Sequence, residues 1–221
     1  NRCLVGSEMC IRDRGDIYVG DAFSCAHRAH ASVDALPRLM PAAAGRSFAA
    51  ELTALNAALA APRRPLGAVV GGAKVSSKLA LIENLVTKVD GLIFGGGMAN
   101  TFLLAQGIQI GASLAEPDML AKARAIVAKA DANGCRIILP TDLVVATAFA
   151  ANASHRVTGG HDIADDEMIL DAGPQSVASV TAFLRECQTI VWNGPMGAFE
   201  LKPFDAATNA VARAVARLTQ D

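Results

Sequence analysis

The chain of 221 residues is poor in several things, and each shortage removes a class of function. Charge is almost balanced, with 20 Lys and Arg against 21 Asp and Glu, a net charge of −1. No basic face or acidic tail therefore points to nucleic acid or to a membrane surface as partner. No apolar run reaches the length of a membrane span, and no secretory signal pattern is read. The five cysteines have no paired spacing. This favours reduced thiols in a cytoplasmic protein, with Cys135 and Cys187 as small buried or half-buried side chains beside apolar runs. Aromatic residues make up only 5% of a chain that is 52% hydrophobic. An aliphatic balance rich in Ala and Val suits helices that cover a parallel sheet. No internal repeat, low-complexity tract or G-x-x-x-x-G-K-[ST] phosphate loop is present, so the chain is not a P-loop protein.

What the sequence does contain is an ordered anion-binding pattern at residues 66 to 78, LGAVVGGAKVSSK. Leu66 to Val70 is a short apolar run of the kind buried on both faces of a sheet. Gly71 and Gly72 break it. Val75, Leu79, Ile82 and Val86 then recur at helical spacing and predict a helix near 75–87. Lys74 and Lys78, four apart, are expected on one face of its first turns. Cations at a helix start oppose the helix dipole, and a bound anion would offset that cost. Backbone N–H groups freed by glycine suit phosphate. Spacing alone also leaves open two solvated surface lysines beside an ordinary turn.

Two further runs end in the same way. Leu92-Ile93-Phe94 leads into Gly95-Gly96-Gly97-Met98-Ala99-Asn100, and Thr189-Ile190-Val191-Trp192 into Asn193-Gly194-Pro195-Met196-Gly197. Either glycine loop alone is satisfied by a tight turn. Together, three strands ending in glycine-rich loops suggest one crevice at the carboxyl ends of an open sheet. A separate basic cluster, His27-Arg28-Ala29-His30, follows Cys25. Its Cys and His spacing offers metal-ligand types, but no fourth ligand is near and Arg28 would stand beside the cation, so zinc is disfavoured. Two histidines and an arginine suit a carboxylate or phosphate better.

At this point the residues carry a resemblance. DAFSCAHRAHAS, GGAKVSSK, GGGMANTFL and WNGPMGAFE are similar, in order and approximate spacing, to four signatures of the phosphoglycerate kinase family. The resemblance covers residues 15 to 221. It implies a Rossmann-like α/β fold, a doubly wound parallel sheet in three layers. It also implies phosphoryl transfer between 1,3-bisphosphoglycerate and ADP to give 3-phosphoglycerate and ATP, with Mg2+ accompanying the nucleotide. The chemistry would be electrostatic, because phosphoryl transfer needs positioning and charge neutralisation more than a general base.

Carried over by motif, Lys74 corresponds to the lysine that stabilises the phosphoryl group in flight, and Lys78 to one that grips nucleotide phosphate. Gly72, Ala73, Gly95 and Gly96 correspond to backbone lining the nucleotide. Asn193, Pro195, Gly197 and Ala198 correspond to the loop near its sugar and phosphates, and Glu200 to the ribose-hydroxyl acceptor. Without the motif, Glu200 reads as a solvated acid. The resemblance puts His27, Arg28 and His30 in the basic patch that meets 3-phosphoglycerate, with Arg28 aiding catalysis. Ser77 stands where the family often has an acid, Gly20 where Asn is common, and Ala172 where Ile is usual.

The resemblance also organises the chain. Residues 1 to 14, NRCLVGSEMCIRDR, match nothing in the family and look like a translated library adaptor. Residues 15 to 41 correspond to a remnant of the 3-phosphoglycerate domain, 42 to 61 to an interdomain helix, and 62 to 221 to the nucleotide-binding domain without its last segment. A metal-binding aspartate and further arginines of the family are expected outside this stretch, so the chain alone is expected to be inactive. A non-catalytic adenine-nucleotide-binding module is the alternative. The full-length protein is expected to be a monomer in the cytoplasm, acting on small molecules. Strands are expected near 66–70, 92–95, 136–139 and 189–192, with helices near 75–87, 98–106, 117–132, 174–186 and 204–218. Residues 140 to 172 read only as short strands and loops.

Overall fold

The computed structural model describes residues 12 to 220. Most of the stretch expected to be foreign, residues 1 to 11, lies outside them. The chain divides into two compact units, one ending at Ala61 and the other beginning at Pro62. In the first, β1 (Tyr18–Gly20) precedes α1 (Leu36–Leu39), β2 (Ala42–Ala44) and α2 (Arg46–Leu59), and β1 pairs with β2 in parallel. The carboxylate of Asp21 accepts the amide of Phe48, one of the first-turn N–H groups that a helix cannot satisfy internally. Phe48 packs edge-on against Phe23, and no residue of α2 is buried.

The second unit contains β3 (Leu66–Gly71), α3 (Leu79–Leu85), β4 (Gly91–Gly95), α4 (Gly96–Ala105), α5 (Leu120–Ala132) and β5 (Arg136–Ile138). These are followed by β6 (Leu143–Ala146), β7 (His155–Thr158), β8 (Met168–Ala172), α6 (Pro174–Glu186), β9 (Thr189–Asn193) and α7 (Ala206–Leu218). The main sheet has the order β5-β4-β3-β9 and every pair in it is parallel. All six residues of β3 are buried, as expected for a central strand covered on both faces. Alternation of side chains sorts the two faces. Val69, Ile93 and Ile138 pack with Val180, Phe183, Leu184 and Val211 of α6 and α7. Phe94, one residue on, points the other way and stacks on Phe102 of α4, ring centroids 4.0 Å apart.

β6, β7 and β8 form a second, antiparallel sheet in the order β7-β6-β8, with an irregularity between Val144 and Val145. Arg156 on β7 grips both carboxylate oxygens of Glu167, at 2.8 and 2.7 Å, and so ties the loop before β8 to this sheet. The chain thus has the α/β, doubly wound parallel architecture expected of it, with a smaller sheet where only short strands were read.

The order of the main sheet also fixes where its loops converge. From β3 the chain steps outward to β4 and β5, then returns to place β9 on the other side of β3. The reversal between β3 and β9 is a topological switch point, where open α/β sheets form a crevice at the strand carboxyl ends.

Candidate functional site

The loops after β3, β4 and β9 meet at that switch point. Lys78 bridges it: its ammonium donates to Gly71 O at 2.9 Å, to Asn193 O at 3.2 Å and to Asn193 Oδ1 at 2.7 Å. All three acceptors are neutral dipoles. Among the described residues no carboxylate forms an ion pair with Lys74 or Lys78. Partial burial holds the Lys78 ammonium below its ordinary lysine pKa. Lys78 therefore brings to the crevice a positive charge that no described carboxylate pairs.

The lysine turn differs from the helix expected at 75–87. A short 3₁₀ turn, Ser76–Lys78, comes first, and α3 begins only at Leu79. Lys74 is exposed and precedes both, so the two lysines do not occupy successive turns of one α-helix. The serines explain the delay, because such side chains compete for nearby backbone groups. Ser77 Oγ donates to Lys74 O at 2.7 Å, and the amide of Ser76 donates to Glu116 Oε2 at 2.9 Å.

The glycines allow the loops to lock together. Gly96 N donates to Met196 O at 2.8 Å and Met98 N to Gly72 O at 3.0 Å. Gly96 has φ of 63°, and a Cβ there would stand 3.0 Å from Gly72 O. At Gly95 a Cβ would come within 2.5 Å of Pro195 O. The amides of Gly96 and Met98 are thus held by other loops, whereas those of Ala73 and Lys74 stand open for the expected N–H cradle. Within the described residues those two amides carry no hydrogen bond.

The β9 loop is held from below. Met196 N donates to Thr208 Oγ1 at 3.0 Å, and Ala198 N to Leu170 O at 2.7 Å. Under Gly197 lies Asp171 of β8, which accepts from Ala172 N and Ala207 N, each at 2.9 Å. Burial pushes the Asp171 carboxyl up to about 7, against those hydrogen bonds and with the charge of Asp205 adding to it. Glu200 is exposed in the turn beyond, with no hydrogen bond among the described residues. Glu116 and Asp171 were not singled out from the sequence. Both act across the fold, 40 residues from Ser76 and 36 from Ala207, and no local spacing announces them.

His27, Arg28 and His30 belong to the other unit and are exposed. Arg28 Nε lies 3.4 Å from His27 Nε2, so two of the three basic side chains are neighbours.

The sequence model of the family described as phosphoglycerate kinase matches residues 9–221. This chain belongs to the phosphoglycerate kinase family. The match begins inside the stretch expected to be foreign. Among curated phosphoglycerate kinases, that of Rhodospirillum centenum is 61% identical over 207 residues, covering 94% of this chain and 52% of its own length. That of Xanthobacter flavus is 62% identical over 205 residues, covering 93% of this chain and 52% of the relative. The solved structure of phosphoglycerate kinase from Coxiella burnetii superposes with a TM-score of 0.88 at 42% identity, covering 98% of this chain and 57% of that one. The chain therefore spans about half the length of the phosphoglycerate kinases it matches.

Proposed function

We propose that this chain carries the adenine-nucleotide site of a phosphoglycerate kinase, which transfers a phosphoryl group between 1,3-bisphosphoglycerate and ADP to give 3-phosphoglycerate and ATP. One observation carries the reading: Lys78, uncompensated by any described carboxylate, joins the loops of β3 and β9 at the switch point of the sheet. In this reading Lys78 neutralises nucleotide phosphate, and Lys74, exposed beside free amides, neutralises the oxygens of the phosphoryl group in flight. Gly72, Ala73, Gly95 and Gly96 let the nucleotide approach the backbone, the loop from Asn193 through Pro195, Gly197 and Ala198 lies along its sugar and phosphates, and Glu200 accepts from the ribose. His27, Arg28 and His30 take the carboxylate and phosphate of 3-phosphoglycerate.

Among the described residues no three His, Cys, Asp or Glu side chains gather as a metal cage. The residues present fit magnesium that enters on the nucleotide, held mainly by phosphate oxygens, and that would there offset phosphate charge. We take residues 15–41 as part of the 3-phosphoglycerate domain, 42–61 as the linking helix and 62–221 as the nucleotide domain. The protein is read as a cytoplasmic monomer. No helix among the described residues is long and apolar enough to cross a membrane, and Cys25, Cys135 and Cys187 are free thiols.

The test uses a coupled ATP-consumption assay with 3-phosphoglycerate, on protein of the relatives' length with and without Lys74→Ala. Turnover should fall by at least about 100-fold while nucleotide affinity changes only a few-fold, since the lost interaction belongs to the transition state. Unchanged turnover in the variant would contradict the assignment.

A further inference from the structure

Thr101 and Glu116 link the second glycine loop to the lysine turn. Thr101 is fully buried; its hydroxyl donates to Gly97 O at 3.2 Å and accepts from Glu116 N at 3.1 Å. The Glu116 carboxylate in turn accepts from Ser76, through the amide at 2.9 Å and through the hydroxyl. The 3₁₀ turn Ser76–Lys78 has no side-chain cap of its own, and so short a turn is weakly held by its internal bonds. Glu116 supplies the missing acceptor from 40 residues away. Partial burial pushes the Glu116 carboxyl upward, but the bonds from Ser76 and the charge of Lys74 outweigh it and hold the group below its usual range. It is therefore ionised at neutral pH.

We propose that Glu116 is a positioning residue of the nucleotide site, fixing Ser76 and with it the turn from which Lys78 reaches Gly71 and Asn193. The inference rests on the reading of that turn as a phosphate site. A carboxylate beside bound phosphate is unfavourable in charge, so its contribution to binding is geometric. Glutamine separates geometry from charge. Its carbonyl can accept from the Ser76 amide, and its amide can donate to the Ser76 hydroxyl, which then acts as acceptor. Alanine removes both contacts.

The experiment titrates Mg-ADP calorimetrically into the chain and into its Glu116→Ala and Glu116→Gln variants, each also in a Lys78→Met background. Amide hydrogen exchange at Ser76 to Lys78 is followed in parallel. Glu116→Ala should raise Kd about tenfold, the scale of a lost helix cap. It should also speed exchange at Ser76. Glu116→Gln should stay within about twofold of the parent, because the geometry is rescued. In the Lys78→Met background Glu116→Ala should add less than about twofold, as the group being aimed is gone. Unchanged Kd in Glu116→Ala, equal losses in both variants, or an undiminished loss in the Lys78→Met background would each overturn the inference while leaving the nucleotide reading intact. No binding by the unaltered chain would overturn that reading, and the inference with it.

Discussion

Lys78 stands against three neutral oxygens, and the balance of effects around it decides how the site behaves. The dipoles of Gly71 and Asn193 orient the ammonium, but none cancels its charge. Partial desolvation makes that charge harder to keep and more responsive to an anion. Replacing Lys78 by Met should weaken Mg-ADP binding roughly 10- to 100-fold, as expected for a charge-assisted phosphate contact. The same change should cost only about 1 kcal/mol of stability, mainly for the Gly71 carbonyl left without its donor. Urea unfolding and calorimetry on one preparation separate the two effects. Asp171 makes a different prediction. Its folded value near 7 stands above the ordinary 3.8. Between those values the folded chain holds a proton that the unfolded chain has released. This group's stabilising contribution is therefore full below about pH 4 and is lost as the pH rises towards 7, with a limiting slope of about 1.4 kcal/mol per pH unit. In Asp171→Asn that slope should disappear between pH 5 and 7.5. An equal pH dependence in parent and variant would contradict it.

At the scale of elements, the central strands and the helices on their two faces form the stable frame that sets the loops. Phe94 and Phe102 stack within it, both buried. Truncating Phe102 to Ala should remove about 3–5 kcal/mol, because the surrounding helices cannot close a gap of that size. Equilibrium denaturation reads this directly, and a loss below about 1 kcal/mol would mean that α4 is not anchored there. This frame was legible in the sequence because β3, β4 and β9 are apolar runs closed by glycine, and the helices between them keep helical spacing. The start of the lysine helix was not. Val75, Leu79 and Ile82 keep the period, yet Ser76 and Ser77 divert the backbone to Glu116 and Lys74. The antiparallel sheet at β6–β8 was missed as a unit, since its strands are short and β7 is mostly exposed. Of the site, Lys78, Asn193 and the glycines were named from their motifs, and the structure brings them together. Glu116 and Asp171 act through hydrogen bonds to residues distant in the chain, which leave no periodic trace.

For the whole molecule, the proposed nucleotide site is built by loops of one unit, the one beginning at Pro62. Every contact in the lysine and glycine cluster lies within that unit, between residues 71 and 208. Phosphoryl transfer also needs an acceptor held in line, and misplacement by about 1 Å can cost on the order of 100-fold in rate. Binding is thus the property that this chain, about half the length of its relatives, should display by itself. The most direct measurement is a calorimetric titration of Mg-ADP into the 221-residue chain, repeated with Lys78→Met. Saturable binding at one site, weakened at least about tenfold by the substitution, is the predicted result. Absence of binding by the parent, or equal affinity in the two, would contradict the account.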